Sequence, residues 1–208
     1  MYTKTLSYYL VCLTIAVACA TLSPVSRANT VVVSFDFDDS DGAFENAPET
    51  LGVGLDSLPW AVQRGTLADF AGSPSSGRAL GARSFVDGNR LILELIVGDG
   101  FRLAIDGYSF GHLASASGPS EWQFLINDSV YSSGGLSGNF VAVNGELALN
   151  DLTGSVFIAL AGAAAASNGG TYRLDNFVLT GTVSSVPLAP SVLLFGSGLS
   201  LLGFRLRG

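Results

Sequence analysis

The body of this chain has no cysteine, no lysine and a single histidine, and each shortage removes a class of chemistry. Cys12 and Cys19 both fall inside an amino-terminal apolar segment, so no thiol is left for nucleophilic catalysis, for a disulfide or for a Cys-ligated zinc. A body without disulfides must hold together through its core alone. The 157 residues from Asn29 to Ser185 are enough for that, since a chain of such length buries about 70% of its surface on folding. Lysine stops at Lys4 and charged residues make up only 13% of the chain, so helices built on Glu and Lys are not expected. His112 stands alone. A catalytic triad needs a histidine beside an activated hydroxyl, and although Ser109, Ser115 and Ser117 are near in sequence, no G-x-S-x-G elbow occurs. His112 alternates with Phe110 and Ala114 and reads as a strand residue at a sheet surface.

Positive charge is scarce as well. Of ten basic side chains, Lys4, Arg27, Arg205 and Arg207 lie near the ends, which leaves six against seventeen acids in the middle, a balance of about −11. Such a surface repels phosphate backbones and anionic lipid, so nucleic acid is excluded as a partner. Arg78, Arg83, Arg90 and Arg102 read as members of surface ion pairs.

What the chain does have is strand-forming runs separated by turn residues. Thr30–Phe37, Arg78–Phe85, Leu91–Val97, Phe101–Phe110, Trp122–Ile126, Phe140–Val143, Ser155–Ala161 and Thr171–Val183 are apolar or alternating. Clusters such as Gly98–Gly100, Ser117–Ser120, Ser132–Gly138 and Ser167–Gly170 separate them. The expected fold is all-β, an antiparallel β-sandwich or jelly roll. The stretch Ala161–Ser167 is read as a strand end running into a loop, and Asp39–Gly77 is the segment least legible as strand.

The two ends read as addresses. Lys4 precedes the apolar run Tyr8–Ala20, 13 residues long and too short for a bilayer that takes about 20. Small residues follow at Ser26 and Ala28, which makes residues 1–28 a signal peptide cut after Ala28, with Ala20 the alternative. Residues 29–183 form the ectodomain. In residues 184–208, Leu188–Phe204 is a short apolar segment, read as a transmembrane helix, with Arg205 and Arg207 on its cytoplasmic side.

That tail resembles a known class. Val186, Pro187, Leu188, Ala189 and Pro190, followed by Phe195, Gly196, Ser197 and Gly198 and the closing Arg205 and Arg207, look like a PEP-CTERM sorting signal in its VPLPA-like variant. Leu188 and Ala189 stand where the usual Pro-Glu-Pro core would continue. The resemblance implies processing by exosortase, a Gram-negative host, a precursor tethered at the inner membrane, and release to the cell surface or an exopolysaccharide matrix. The body is similar to the jelly-roll ectodomains of such proteins through Phe35-Asp-Phe37, Ile105–Phe110, Ser117–Trp122 and Gly169–Gly181, a likeness that implies fold and location without chemistry.

Two constellations remain. Asp36, Asp38, Asp39, Asp41, Glu45 and Glu49 crowd one strand-to-loop junction, where hard oxygen ligands suit Ca²⁺. EF-hand spacing fails, because counting from Asp36 the glycine falls at position 7 and position 12 is Ala47. The closing Leu174-Asp-Asn176 resembles an element of sandwich carbohydrate-binding modules, and that likeness implies a structural calcium joining Asp36 or Asp38 to Asp175. The plain reading is a solvated acidic loop that protects a sheet edge. Glu121 beside Trp122 is the candidate ligand-binding pair, since aromatic faces stack on pyranose rings and carboxylates accept hydroxyl protons. No acid pair suited to glycoside hydrolysis stands out. The Asn127-Asp-Ser129 sequence is a formal glycosylation sequon. The expected function is an exported, non-catalytic surface or matrix protein associated with exopolysaccharide or biofilm. The alternative is a lectin-like carbohydrate-binding module, with a glycoside-active enzyme third.

Overall fold

A computed structural model describes residues 30–38, 43–72 and 77–186. The expected signal peptide, Asp39, Asp41 and the tail from Pro187 through Leu188, Ala189, Pro190, Phe195, Gly196, Ser197 and Gly198 to Arg205 and Arg207 lie outside the described residues.

Among the described residues there are strands and no helix, arranged as two antiparallel sheets. The first is seven-stranded. It runs β11 (Val141–Leu152), β8 (Phe101–Ala114), β13 (Thr171–Ser185), β1 (Thr30–Phe35) and β2 (Thr50–Leu51), with β6 (Arg78–Arg83) also on β13 and β5 (Thr66–Ala71) on β6. The second is six-stranded: β10 (Ser129–Gly135), β9 (Pro119–Ile126), β12 (Gly154–Ala165), β7 (Arg90–Val97) and β3 (Leu55–Ser57), with β4 (Ala61–Val62) also on β7. The expected antiparallel sandwich is therefore present.

Alternation produces the core. In β7, Leu91, Leu93, Leu95 and Val97 are buried while Arg90, Ile92, Glu94 and Ile96 face outward. β9 sends Trp122, Phe124 and Ile126 inward, and β13 sends Tyr172, Leu174, Phe177 and Leu179. Alternation in β13 skips a step at Asp175–Val178, where Asn176 takes a left-handed φ of 50° and the register against β8 shifts, a β-bulge. Aromatic side chains occupy the gap between the sheets. Trp60 meets Phe177 edge-on at 4.9 Å and Phe35 at 6.0 Å, and Tyr108 stacks on Phe124 at 4.3 Å.

The chain differs from the sequence reading in two segments. Ser132–Gly138, expected as a turn cluster, is largely strand: β10 runs through Gly135 because the turn falls earlier, at Asn127-Asp128. Both residues have left-handed φ, 48° and 63°, as a two-residue type I′ hairpin requires, and Ile126 pairs with Ser129 across it. The segment taken as Phe140–Val143 extends to Leu152 as β11. Ala161–Ser167 continues β12 to Ala165 and then leaves the sheet, as expected. At the carboxyl end β13 runs to Ser185, and the Val186 amide donates to Gly100 O at 2.7 Å, so sheet structure reaches the first residue of the Val186–Pro190 motif. Among the described residues no helix is long and apolar enough to cross a membrane.

Candidate functional site

The outer face of β9 and β10 carries a polar cleft beside the predicted site residue Glu121. Alternation puts Glu121 and Gln123 outside, opposite Gly135 and Ser133 of β10. With Ser120 and Gly134 they line a shallow cleft of about 370 Å³. A carboxylate, an amide and hydroxyls over a glycine-thinned edge strand offer acceptors and donors together, the pairing that suits a hydroxyl-rich ligand.

The candidate pair separates here. Glu121 is exposed, but Trp122 is only 5% exposed and belongs to the core. Its indole stands edge-on to Phe110 at 5.6 Å and to His112 at 5.0 Å, so its faces are not free to stack on a sugar. Gly134, directly across the strand pair, leaves room for the indole, because a Cβ there would sit 2.9 Å from Nε1. Trp122 thus closes the floor of the cleft by its edge. The physical reason is the two-residue period: with Phe124 and Ile126 inside, Trp122 must also be inside and Glu121 outside.

A second cleft, about 310 Å³, lies on the outer face of the seven-stranded sheet and is lined by Asp106, Ser109, Asn144, Glu146 and Thr180 among others. Asp106 Oδ2 is buried there without a hydrogen-bond partner. The sequence signal for this cleft is the break in alternation between Ile105 and Tyr108, which the reading above passed over.

His112 is the clearest correction. It was expected at a sheet surface, yet it is 0% exposed in the core. Its alternation with Phe110 and Ala114 holds, but the shared face is the one that meets the second sheet. Nδ1 lies 2.9 Å from the Tyr172 hydroxyl, and Nε2 has no hydrogen-bond partner. Burial pushes the imidazole pKa down to about 4 and raises that of the Tyr172 phenol, because each charged form would lose its hydration. Ser115 accepts the Thr171 amide at 2.9 Å and shares a 3.3 Å contact with Ser117, so both hydroxyls serve the loop.

The acidic junction is partly described. Asp36 Oδ1 accepts the Asp38 amide at 3.2 Å, which turns that carboxylate back on its own backbone. Asp38 Oδ1 accepts the Arg78 amide, and its other oxygen faces Gly77. Asp175, 2% exposed, points Oδ2 at Gly72, where a Cβ would stand 2.9 Å away. Gly72 and Gly77 are themselves joined by a 3.0 Å amide–carbonyl bond. Gly77 has φ of +84°, a conformation that L side chains rarely adopt. Asp38 and Asp175 therefore approach the hydrogen-bonded pair Gly77 and Gly72, while among the described residues no three carboxylate or histidine side chains gather as a metal cluster. Three of the arginines form exposed ion pairs as expected: Arg78 with Asp69, Arg90 with Asp128 and Arg102 with Asp151. Arg83 instead lies over the Phe70 ring at 5.2 Å.

No family model and no curated protein matches this chain. Solved structures do. The N-terminal CBM22-1–CBM22-2 tandem domain from Paenibacillus barcinonensis Xyn10C is similar at 14% identity and a TM-score of 0.51, over 81% of this chain and 49% of the tandem. This chain thus spans about half the length of the tandem. The CBM22-1 xylan-binding domain of the same protein matches at 14% identity and TM-score 0.45, over 79% of this chain and all of that one. The CBM22-1–GH10 modules of the Clostridium thermocellum xylanase 10B, complexed with xylohexaose, match at 12% identity and TM-score 0.47, over 78% of this chain and 30% of that one. At these identities the likeness to the tandem establishes a jelly-roll sandwich fold of the carbohydrate-binding-module type.

Two outcomes follow from the packing. Above pH 6.5 His112 is neutral both folded and unfolded. As pH falls below 6.5 the unfolded chain takes up a proton that the folded core refuses until about pH 4, so stability drops through that window by about 3 kcal/mol. Urea denaturation at pH 7 and pH 4.5 should show this loss, and the loss should be smaller in His112→Phe. Trp122→Ala should cost about 3–5 kcal/mol of stability by opening a core cavity; a variant that melts with the wild type would place the indole outside the core.

Proposed function

We propose that this chain is a carbohydrate-binding sandwich, exported and non-catalytic, that acts at the cell surface or in the exopolysaccharide matrix of a Gram-negative bacterium. The observation that carries the reading is the Glu121–Gln123–Ser133 cleft, a hydroxyl-seeking surface on a sandwich of the carbohydrate-binding-module type. The exposed carboxylate, amide and hydroxyls of that cleft make neutral, hydroxyl-rich polysaccharides the first ligands to test. In this proposal the signal peptide and the PEP-CTERM-like tail deliver the module, exosortase processes the tail, and the apolar segment tethers the precursor to the membrane beforehand.

Intact-mass measurement of the protein recovered from cell-surface fractions, followed by a polysaccharide pull-down of that material, tests both halves. The expected result is a mature mass lacking residues 1–28 and the tail beyond the Val186–Pro190 motif, with retention on at least one insoluble glycan. Glu121→Ala should weaken that retention about tenfold with an unchanged melting temperature. An unprocessed protein confined to the cytosol would overturn the delivery reading, and binding indifferent to Glu121 would move the ligand elsewhere.

A structural calcium is the second reading, favoured by the placement of Asp38 against Gly77 and Asp175 against Gly72, two glycines joined by a hydrogen bond. Carboxylate and carbonyl oxygens suit a hard cation. Millimolar Ca²⁺ should then raise the melting temperature relative to chelator, and Asp38→Asn should abolish the difference. No shift in the wild type would remove calcium from this junction.

A further inference from the structure

The two clefts stand back to back. One opens on the outer face of β9 and β10 in the six-stranded sheet, the other on the outer face of β8 and β11 in the seven-stranded sheet. β10 and β11 are the edge strands of their sheets, and inside the sandwich Tyr108 of β8 stacks on Phe124 of β9 at 4.3 Å. Tyr108 pairs in register with Gly145 of β11 and Phe124 with Ser132 of β10, so one aromatic stack ties the two cleft-bearing strand pairs together. Stacked sheets lie about 10 Å apart. The clefts therefore face opposite ways from a rigid core of about that thickness.

Their chemistry is alike. Across β13, β8 and β11 one outward row is Thr180, Gly107 and Glu146, and the next is Val178, Ser109 and Asn144. Gly107 puts no side chain in the middle of its row, and a Cβ there would stand 3.0 Å from Thr180 Oγ1 and 3.1 Å from Gly145 O, so the floor is bare backbone. Gly134 and Gly135 thin the other cleft in the same way. Each lining combines a carboxylate, a carboxamide and a hydroxyl: Glu121, Gln123 and Ser133 in one, Glu146, Asn144 and Ser109 in the other. No basic side chain lines either, so both favour a ligand that brings hydrogen-bond donors. The second cleft also holds an unmet acceptor. Strand pairing skips Asp106 on both sides, since Ile105 and Gly107 take the partners on β11 and β13, and its Oδ2 is buried without a hydrogen-bond partner. A carboxylate oxygen left in that state is costly, and Asp106 lines the cleft, where an incoming hydroxyl would meet its carboxyl group.

We infer that the cleft around Gly107 is a second carbohydrate site, and that a single copy of the protein cross-links two neutral polysaccharide chains, one on each face of the sandwich. The inference rests on the carbohydrate-binding reading and extends it from attachment to bridging. Sites that face apart cannot both take one straight segment of glycan. They join separate chains, and two weak sites on one rigid body hold a polysaccharide network more firmly than either alone.

Bridging is measured with beads of insoluble xylan, cellulose and curdlan, each mixed with a fluorescein-labelled soluble fraction of the same polysaccharide. The mature protein should fix label on at least one bead type that takes up none alone. Glu121→Ala and Glu146→Ala each change an exposed side chain. Each should stay on the beads, held about tenfold more weakly, and should fix about tenfold less label. The double variant should not be retained. Label fixed as well by Glu146→Ala as by the wild type would assign the bridge to a pair of copies using one cleft each and would overturn the second site. Retention of the wild type without label would mean one site, or one chain wrapped around the β10–β11 edge, and would overturn the cross-link. Both of these leave a carbohydrate-binding protein. Retention on none of the beads, together with none in the pull-down, would overturn the carbohydrate reading itself.

Discussion

A continuous seam of aromatic rings holds the two sheets together. It runs from Phe37 to Phe35, to Trp60 and Phe177, on to Phe110 and Trp122, and through His112 and Tyr172 to Phe85, each ring within about 6 Å of the next. Edge-to-face and offset contacts of this kind add to the burial of large apolar areas. In a body without disulfides this seam carries the cohesion that many exported domains obtain from crosslinks. It also explains how the core tolerates His112, whose ring is enclosed by Phe110, Trp122 and Tyr172 and bonded to the Tyr172 hydroxyl.

The seam decides which residues are left for function. Because strands alternate, committing Trp122, Phe124 and Ile126 to the seam and the core around it commits Glu121, Gln123 and Leu125 to the outer face. The same rule makes Asn144 and Glu146 available beside Asp106 on the opposite sheet. The bulges at Asp175–Val178 and around Asp106 are where that rule is interrupted, and both place a carboxylate under the surface instead of fully in water. The polar features of this molecule are therefore by-products of strand phase and of its local faults.

Strand existence was legible in the residues, because period-two patterns such as Leu91–Val97 have few other interpretations. Strand phase was less so. His112 and Trp122 were both located in strands, but which face of a strand meets the second sheet depends on partners distant in sequence, Leu174 opposite His112 and Gly162 opposite Trp122, and no local pattern carries that. The β9–β10 hairpin was hidden by a competing motif: Asn127-Asp128 was taken as part of a sequon, when its tolerance of left-handed φ made it the turn. Gly134 and Gly135, read as loop residues, instead thin an edge strand beside a large indole. Asp36, Asp38 and Asp175 were candidate calcium residues only through acidic composition and the likeness of Leu174-Asp-Asn176; in the structure Asp38 Oδ2 faces Gly77, Asp175 Oδ2 faces Gly72, and Asp36 is turned back on its own backbone.

The first strand of the body pairs with the last: Val33 lies beside Leu179 and Phe35 beside Phe177. Such a sheet cannot close until nearly the whole chain has emerged, since its central contacts span the length of the polypeptide, a topology of high contact order that folds slowly. On the proposed export route that delay is useful. On that route a sandwich whose first and last strands must meet would stay threadable until its carboxyl end had followed it across.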